Sequence, residues 1–203
     1  MNYLKLSGTL LFLAGSIALM GIITAEALYP SGMGYTTFSS EISDLGATKP
    51  PNSIIYQPSA TIFNMAMLLT GLMTLTATFF QHKFFTKLLV SIPLSLFGLG
   101  LVGIGIFSGE KAPYHGIFAM LTFLSGGLSA ILAFKIVSTP FKYIGIVFGS
   151  ISLATYAAAV FIPNIIFPLI GPGGTERWLV YPLVLWLTGL GGYLMNTRTT
   201  QNK

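Results

Sequence analysis

Apolar residues in this chain gather into six runs, each close to the 20 or so residues a helix needs to cross a hydrocarbon core of about 30 Å. The runs are Leu4 to Leu28, Pro58 to about Gln81, Leu88 to Phe107, His115 to Lys135, Tyr143 to Ile162 and Trp178 to Leu194. The first also has features of a signal peptide, since Lys5 precedes the apolar stretch and Ala25-Glu26-Ala27 looks like a cleavage site. We read it as a span. Three of the intervals between them are short. The interval 29–57 is long and rich in Ser, Thr, Gly and Pro. The pattern predicts an all-α integral membrane protein, a bundle of six transmembrane helices forming one membrane domain over 1–203.

Within the long interval, Phe38, Ile42 and Leu45 recur at i, i+4 and i+7, one face of a helix. Ser39 or Ser40 can cap it, and Gly46 can end it in a left-handed turn. Pro50-Pro51-Asn52 prevents its continuing. The spacing predicts a short amphipathic helix on the membrane surface, with Glu41 and Asp44 side by side on its polar face. The plainer alternative is a solvated loop whose acids sit near a helix N-terminus. At the other end of the chain, 165–170 is too apolar for an ordinary loop, and 171–177 reads as a turn into the last helix with Thr175 as its cap.

Composition strengthens the membrane reading. Hydrophobic residues make up 53% and charged residues 7% of 203 residues, against about a quarter charged in soluble domains. A net charge of +5 comes from ten dispersed basic residues, so no basic patch implies nucleic acid. With no cysteine, thiolate metal sites and cysteine nucleophiles are excluded. Gly98-Leu99-Gly100-Leu101-Val102-Gly103 matches a dinucleotide-binding pattern, but no strand precedes it and it falls at bilayer depth. No cofactor and no metal is implied.

Charge also orients the bundle. Lys5, Lys83, Lys87, Lys135, Lys142, Arg198 and Lys203 fall on the side of the termini, against Lys49, Lys111 and Arg177 on the other. The positive-inside rule then expects a cell-membrane protein with both termini in the cytoplasm. All five acids fall on the outer side with His115 and Arg177. The expected catalytic set is Asp44, His115 and Glu41; Asn64, Glu110, Glu176 and Arg177 are expected to bind. Carboxylates near an imidazole suit acid–base chemistry, although ion pairs that lock loops would leave the same signature. We expect His115 to hydrogen-bond one of the acids, directly or through a water; a backbone carbonyl is the alternative partner.

Three functions fit. The outer pocket would bind or process a lipid or isoprenoid head group, with Asp44 or Glu41 as base, His115 as acid, Arg177 as anion clamp and Asn64 positioning. Alternatively, small-residue stripes on spans three to five suit a homo-oligomer or an assembly subunit of a membrane complex. A small transporter is a third reading, with few ionisable groups mid-bundle to line a path. Whether the chain is an enzyme is not readable.

Glu41-Ile42-Ser43-Asp44-Leu45-Gly46 with Asn64 on the second span, Gly105-Ile106-Phe107 followed by Glu110 and His115, and Gly174-Thr175-Glu176-Arg177 before the last span form a combined pattern. Together they resemble a family of six-span prokaryotic membrane proteins of unknown function, with distant likeness to the DRAM-like autophagy modulators. The resemblance covers nearly the whole chain. It implies a six-helix membrane fold and no established activity. The loop before the His often reads Phe-Pro-acid in that family, whereas here Phe107 is followed by Ser108-Gly109-Glu110.

Overall fold

The structure is a computed structural model that describes residues 2–197. Arg198 and Lys203, used above for orientation, lie outside the described residues. Six helices carry the fold: α1 (Tyr3–Ala27), α2 (Ser59–Phe85), α3 (Leu88–Ile106), α4 (Ala112–Leu132), α5 (Phe141–Phe161) and α6 (Pro163–Asn196). All six are long and apolar enough to cross a membrane, and the protein is a multi-pass membrane protein. Each helix packs on its neighbours in sequence, and α1 packs on α6, which closes the ring. The core lies between α1, α2, α3, α4 and α6, around Leu11, Ile22, Phe97, Leu183 and Leu187. Helix α5 stands outside it, burying only Gly145, Gly149 and Ser152.

Small residues let the helices meet. A Cβ on Gly71 would lie 2.6 Å from the Gly98 carbonyl oxygen, and one on Gly149 2.5 Å from that of Gly127. A Cβ on Gly191 would lie 2.2 Å from the Phe12 nitrogen. The small-residue stripes of the middle helices are therefore spent on contacts within the chain. Hydroxyl side chains at the α1–α2 seam are satisfied locally or across that helix pair. Thr74 and Thr78 bond back to carbonyls of α2, while Thr70 and Ser7 reach the carbonyls of Ala14 and Ala77 across the α1–α2 seam.

Helix ends depart from the apolar boundaries in three places. Helix α2 runs through His82 and Lys83, read above as loop, and stops at Thr86 in a left-handed conformation (φ 51°); cations in a last turn suit the negative end of the helix dipole. Helix α4 starts at Ala112, so His115 lies in its first turn. The last helix starts at Pro163 and kinks at Gly171 (φ 72°, ψ 166°). Pro172 disfavours helical backbone in the residue before it, and only glycine takes that φ without strain. Thr175 is thus inside the helix, where its hydroxyl donates to the Gly171 carbonyl.

The interfacial helix expected over 39–45 is a single 3-10 turn, Ser43–Leu45. Ile42 and Leu45 are buried, at 2% and 1% exposure, but Phe38 is 53% exposed. The i, i+4, i+7 face does not form, because the backbone around Phe38 is held by α6: Gly173 N–H donates to the Phe38 carbonyl at 2.9 Å. Gly46 is right-handed (φ −81°, ψ −45°), not left-handed. It is glycine for space, since a Cβ there would lie 2.4 Å from Asn64 Oδ1.

Candidate functional site: the capped end of the bundle

The long loop closes the end of the bundle away from the termini, and Arg177 holds it there. Its Nη1 donates to the carbonyls of Thr37 (3.2 Å), Ser40 (3.0 Å) and Gly173 (3.0 Å). Its Nη2 pairs with Glu26 at the end of α1 and donates to the Tyr35 hydroxyl (3.0 Å). The Tyr35 oxygen also lies 3.1 Å from Glu26 Oε1 and 3.3 Å from the Glu41 carbonyl. Glycine is required opposite: a Cβ on Gly171 or Gly173 would sit about 2 Å from a loop carbonyl. Arg177 was expected as an anion clamp. Its guanidinium is occupied by Glu26 and the loop, so we assign it the loop-locking role.

Under the loop, the turn at Ser43 presents its N–H groups to α6. Ser43 N donates to Glu176 Oε2 at 3.1 Å. Asp44 folds back on its own loop, with Oδ2 accepting from Glu41 N at 2.8 Å. Partial burial raises the Asp44 pKa, and the charge of Glu41 raises it further. Glu41 Oε2 pairs with Lys49 Nζ at 2.5 Å and lies 3.5 Å from Ser43 Oγ. Burial lowers the Lys49 pKa; its hydrogen bond and ion pair with Glu41 outweigh that and raise it overall.

His115 is 4% exposed. Its Nδ1 lies 2.7 Å from the Phe107 carbonyl, so Nδ1 carries the proton there and Nε2 is the site left for other partners. Its direct hydrogen bond is therefore to backbone, not to the carboxylate expected. The cause is the early start of α4, which places the ring beside the end of α3.

A pocket of about 300 Å³ lies beneath this loop, with Glu41, Ser43, Lys49, His115 and Glu176 among its lining residues. Its other walls are apolar, with Ala119 and Phe123 from α4, Ala159 from α5 and Phe167 from α6 among them. Ser43, His115, Ala119, Phe123 and Glu176 also border a narrower apolar cavity of about 40 Å³ that runs into the bundle core.

Of the seven residues expected at the site, Glu41, His115 and Glu176 line the pocket; Asp44, Asn64, Glu110 and Arg177 do not. Asn64 Oδ1 and Glu110 Oε2 are buried without a hydrogen-bond partner among the described residues. Lys49 and Ser43 line the pocket and were not among the expected site residues. Lys49 had a signal, as the loop's one cation among its acids; nothing in the sequence singled out Ser43, which acts through its backbone.

The sequence profile of a family described as "Protein of unknown function (DUF998)" matches residues 12–193. No curated protein and no solved structure gives a match.

Proposed function

For a chain that belongs to the family of unknown function DUF998, we propose binding of a membrane-lipid head group in the pocket beneath the long loop. The observation that carries the reading is the composition of that pocket: Glu41, Lys49, His115 and Glu176 line it together with mostly apolar residues, at the end of a membrane bundle. Such a mixed lining suits an amphiphile, polar at one end only.

Charge narrows the head group. Lys49 and His115 are the groups that can donate to a phosphate. Glu176 Oε1 and the Glu41 carboxylate can accept from an ammonium. His115 Nε2 serves either side, accepting when neutral and donating when protonated. A zwitterionic head group carrying both phosphate and ammonium uses all four. By the charge-based orientation, the pocket faces the outer leaflet. No reaction is proposed.

The test is titration of purified protein with glycerophosphoethanolamine, the water-soluble head group of such a lipid, against glycerophosphate. Tighter binding of the former is expected, with Glu176→Gln weakening it at least tenfold. Equal, weak binding of both, or no binding of either, defeats the proposal. The glycines of the stripes that motivate the assembly-subunit alternative also serve helix contacts within the chain.

A further inference from the structure

The seam between α4 and α5 changes along its length. From mid-helix toward the α4–α5 turn the two backbones touch: a Cβ on Gly149 would lie 2.5 Å from the Gly127 oxygen, and one on Gly145 2.6 Å from that of Ala130. Eleven residues earlier on α4, about 16 Å along a helix axis, a Cβ on Gly116 would meet nothing within 4 Å. Gly116 lines the loop-end pocket together with Ala159 of α5 and Phe167 of α6. The helices are clasped toward the α4–α5 turn and leave open space at Gly116, where the pocket lies.

The two other approaches differ from this one. Above, the loop carrying Glu41, Ser43 and Lys49 forms the roof and is tied to α6 through Arg177. Below, the cavity narrows to about 40 Å³ among packed core side chains. The parted seam is flanked by side chains suited to lipid: Phe161 is 81% exposed, Leu169 73% and Ile165 64%. These belong to the α5 end and the short helical stretch before Gly171, which carries no charged residue. Large apolar groups exposed together at this level of a membrane bundle face acyl chains.

We infer that the pocket opens sideways into the bilayer between α4 and the α5–α6 hairpin, and that a phospholipid places its head group through this gap while its acyl chains stay in the membrane. The inference rests on the head-group reading above and adds the route and the location of the chains. Gly116 is the threshold residue, because a bulky side chain there projects into the gap.

The experiment uses the full chain in nanodiscs containing phosphatidylethanolamine with a diazirine near the start of one acyl chain. Crosslinked peptides from α4 around Gly116 and from 159–167 are expected. Gly116→Trp has room to fold and should lower that crosslinking at least tenfold; Gly116→Ser and Ile117→Trp, on the same helix, should leave it near the wild-type level. Thermal unfolding of each variant checks that it is folded; if Gly116→Trp is not, Gly116→Leu takes its place and should also lower the crosslinking, an undiminished signal in the folded variant again overturning the route. Crosslinks confined to α1 and α2, or undiminished in folded Gly116→Trp, overturn the lateral route while soluble glycerophosphoethanolamine binding leaves the head-group reading standing. If the wild-type chain binds neither the soluble head group nor the lipid, both fall.

Discussion

His115 shows how one hydrogen bond assigns the rest of a side chain. Because Nδ1–H is committed to the Phe107 carbonyl, Nε2 is the atom left for a ligand. An asparagine amide can replace the Nδ1 donor but has nothing at the Nε2 position. His115→Asn should therefore keep most of the stability and lose head-group affinity, whereas His115→Phe strands the carbonyl and should cost about 1–3 kcal/mol. Thermal unfolding in detergent beside a binding titration separates the two; equal destabilisation by both variants would refute the assignment. Asp44 offers a pH test. Burial first, and then Glu41, holds its carboxyl above the ordinary 3.8, so the folded chain binds that proton more tightly than the unfolded chain. The resulting stabilisation is full below about pH 3.8 and is lost as pH rises through the folded value. Asp44→Asn keeps an acceptor for Glu41 N–H and removes the titration. Relative to wild type, its stability should rise between pH 4 and neutral, and parallel pH curves for the two proteins would contradict the reading.

At the scale of elements, the long loop has little regular structure beyond one 3-10 turn, yet it is held in place. Its anchors are polar and come from α1 and α6: Glu26, Arg177 and the glycines that admit the loop carbonyls. Apolar anchoring comes from the buried Ile42, Leu45 and Ala47 and from Tyr29 and Tyr35, partly buried against the core. Arg177→Met keeps bulk but leaves Glu26 unpaired and frees the carbonyls of Thr37 and Ser40. Removing one partner of a largely buried pair costs about 3–5 kcal/mol; because Glu26 retains some access to water, the lower end is expected. The loss should appear as a lower unfolding midpoint and as faster proteolysis within 29–57. A variant with wild-type stability and protease resistance would show that the loop is held by its apolar contacts alone.

For the whole molecule, the ring order of six helices puts both ends of the chain on one side and the pocket on the other. The cysteine-free sequence makes the orientation simple to check. Ser53 and Thr139 are exposed at opposite ends, so single substitutions Ser53→Cys and Thr139→Cys can be labelled in intact cells by a membrane-impermeant reagent. Labelling of Ser53→Cys alone is expected, and the reverse pattern would invert the orientation and place the pocket at the inner leaflet.

The six spans were legible from the sequence because a bilayer demands about 20 apolar residues per crossing and every backbone group must bond within its own helix. That requirement is local, so it is written in the chain locally. The side of the membrane shared by the five acids followed from the same count. What only the tertiary structure decided is which acid meets which partner. Glu41 and Asp44 looked equivalent at i and i+3 of a helix that does not form; the bonds from Phe38 and Ser40 to residues of α6, far along the chain, set the loop's path instead. Arg177 likewise looked like a free cation until the carbonyls folded over it came into view. Periodicity cannot report such contacts, because they join segments more than a hundred residues apart and depend on backbone atoms that every residue carries.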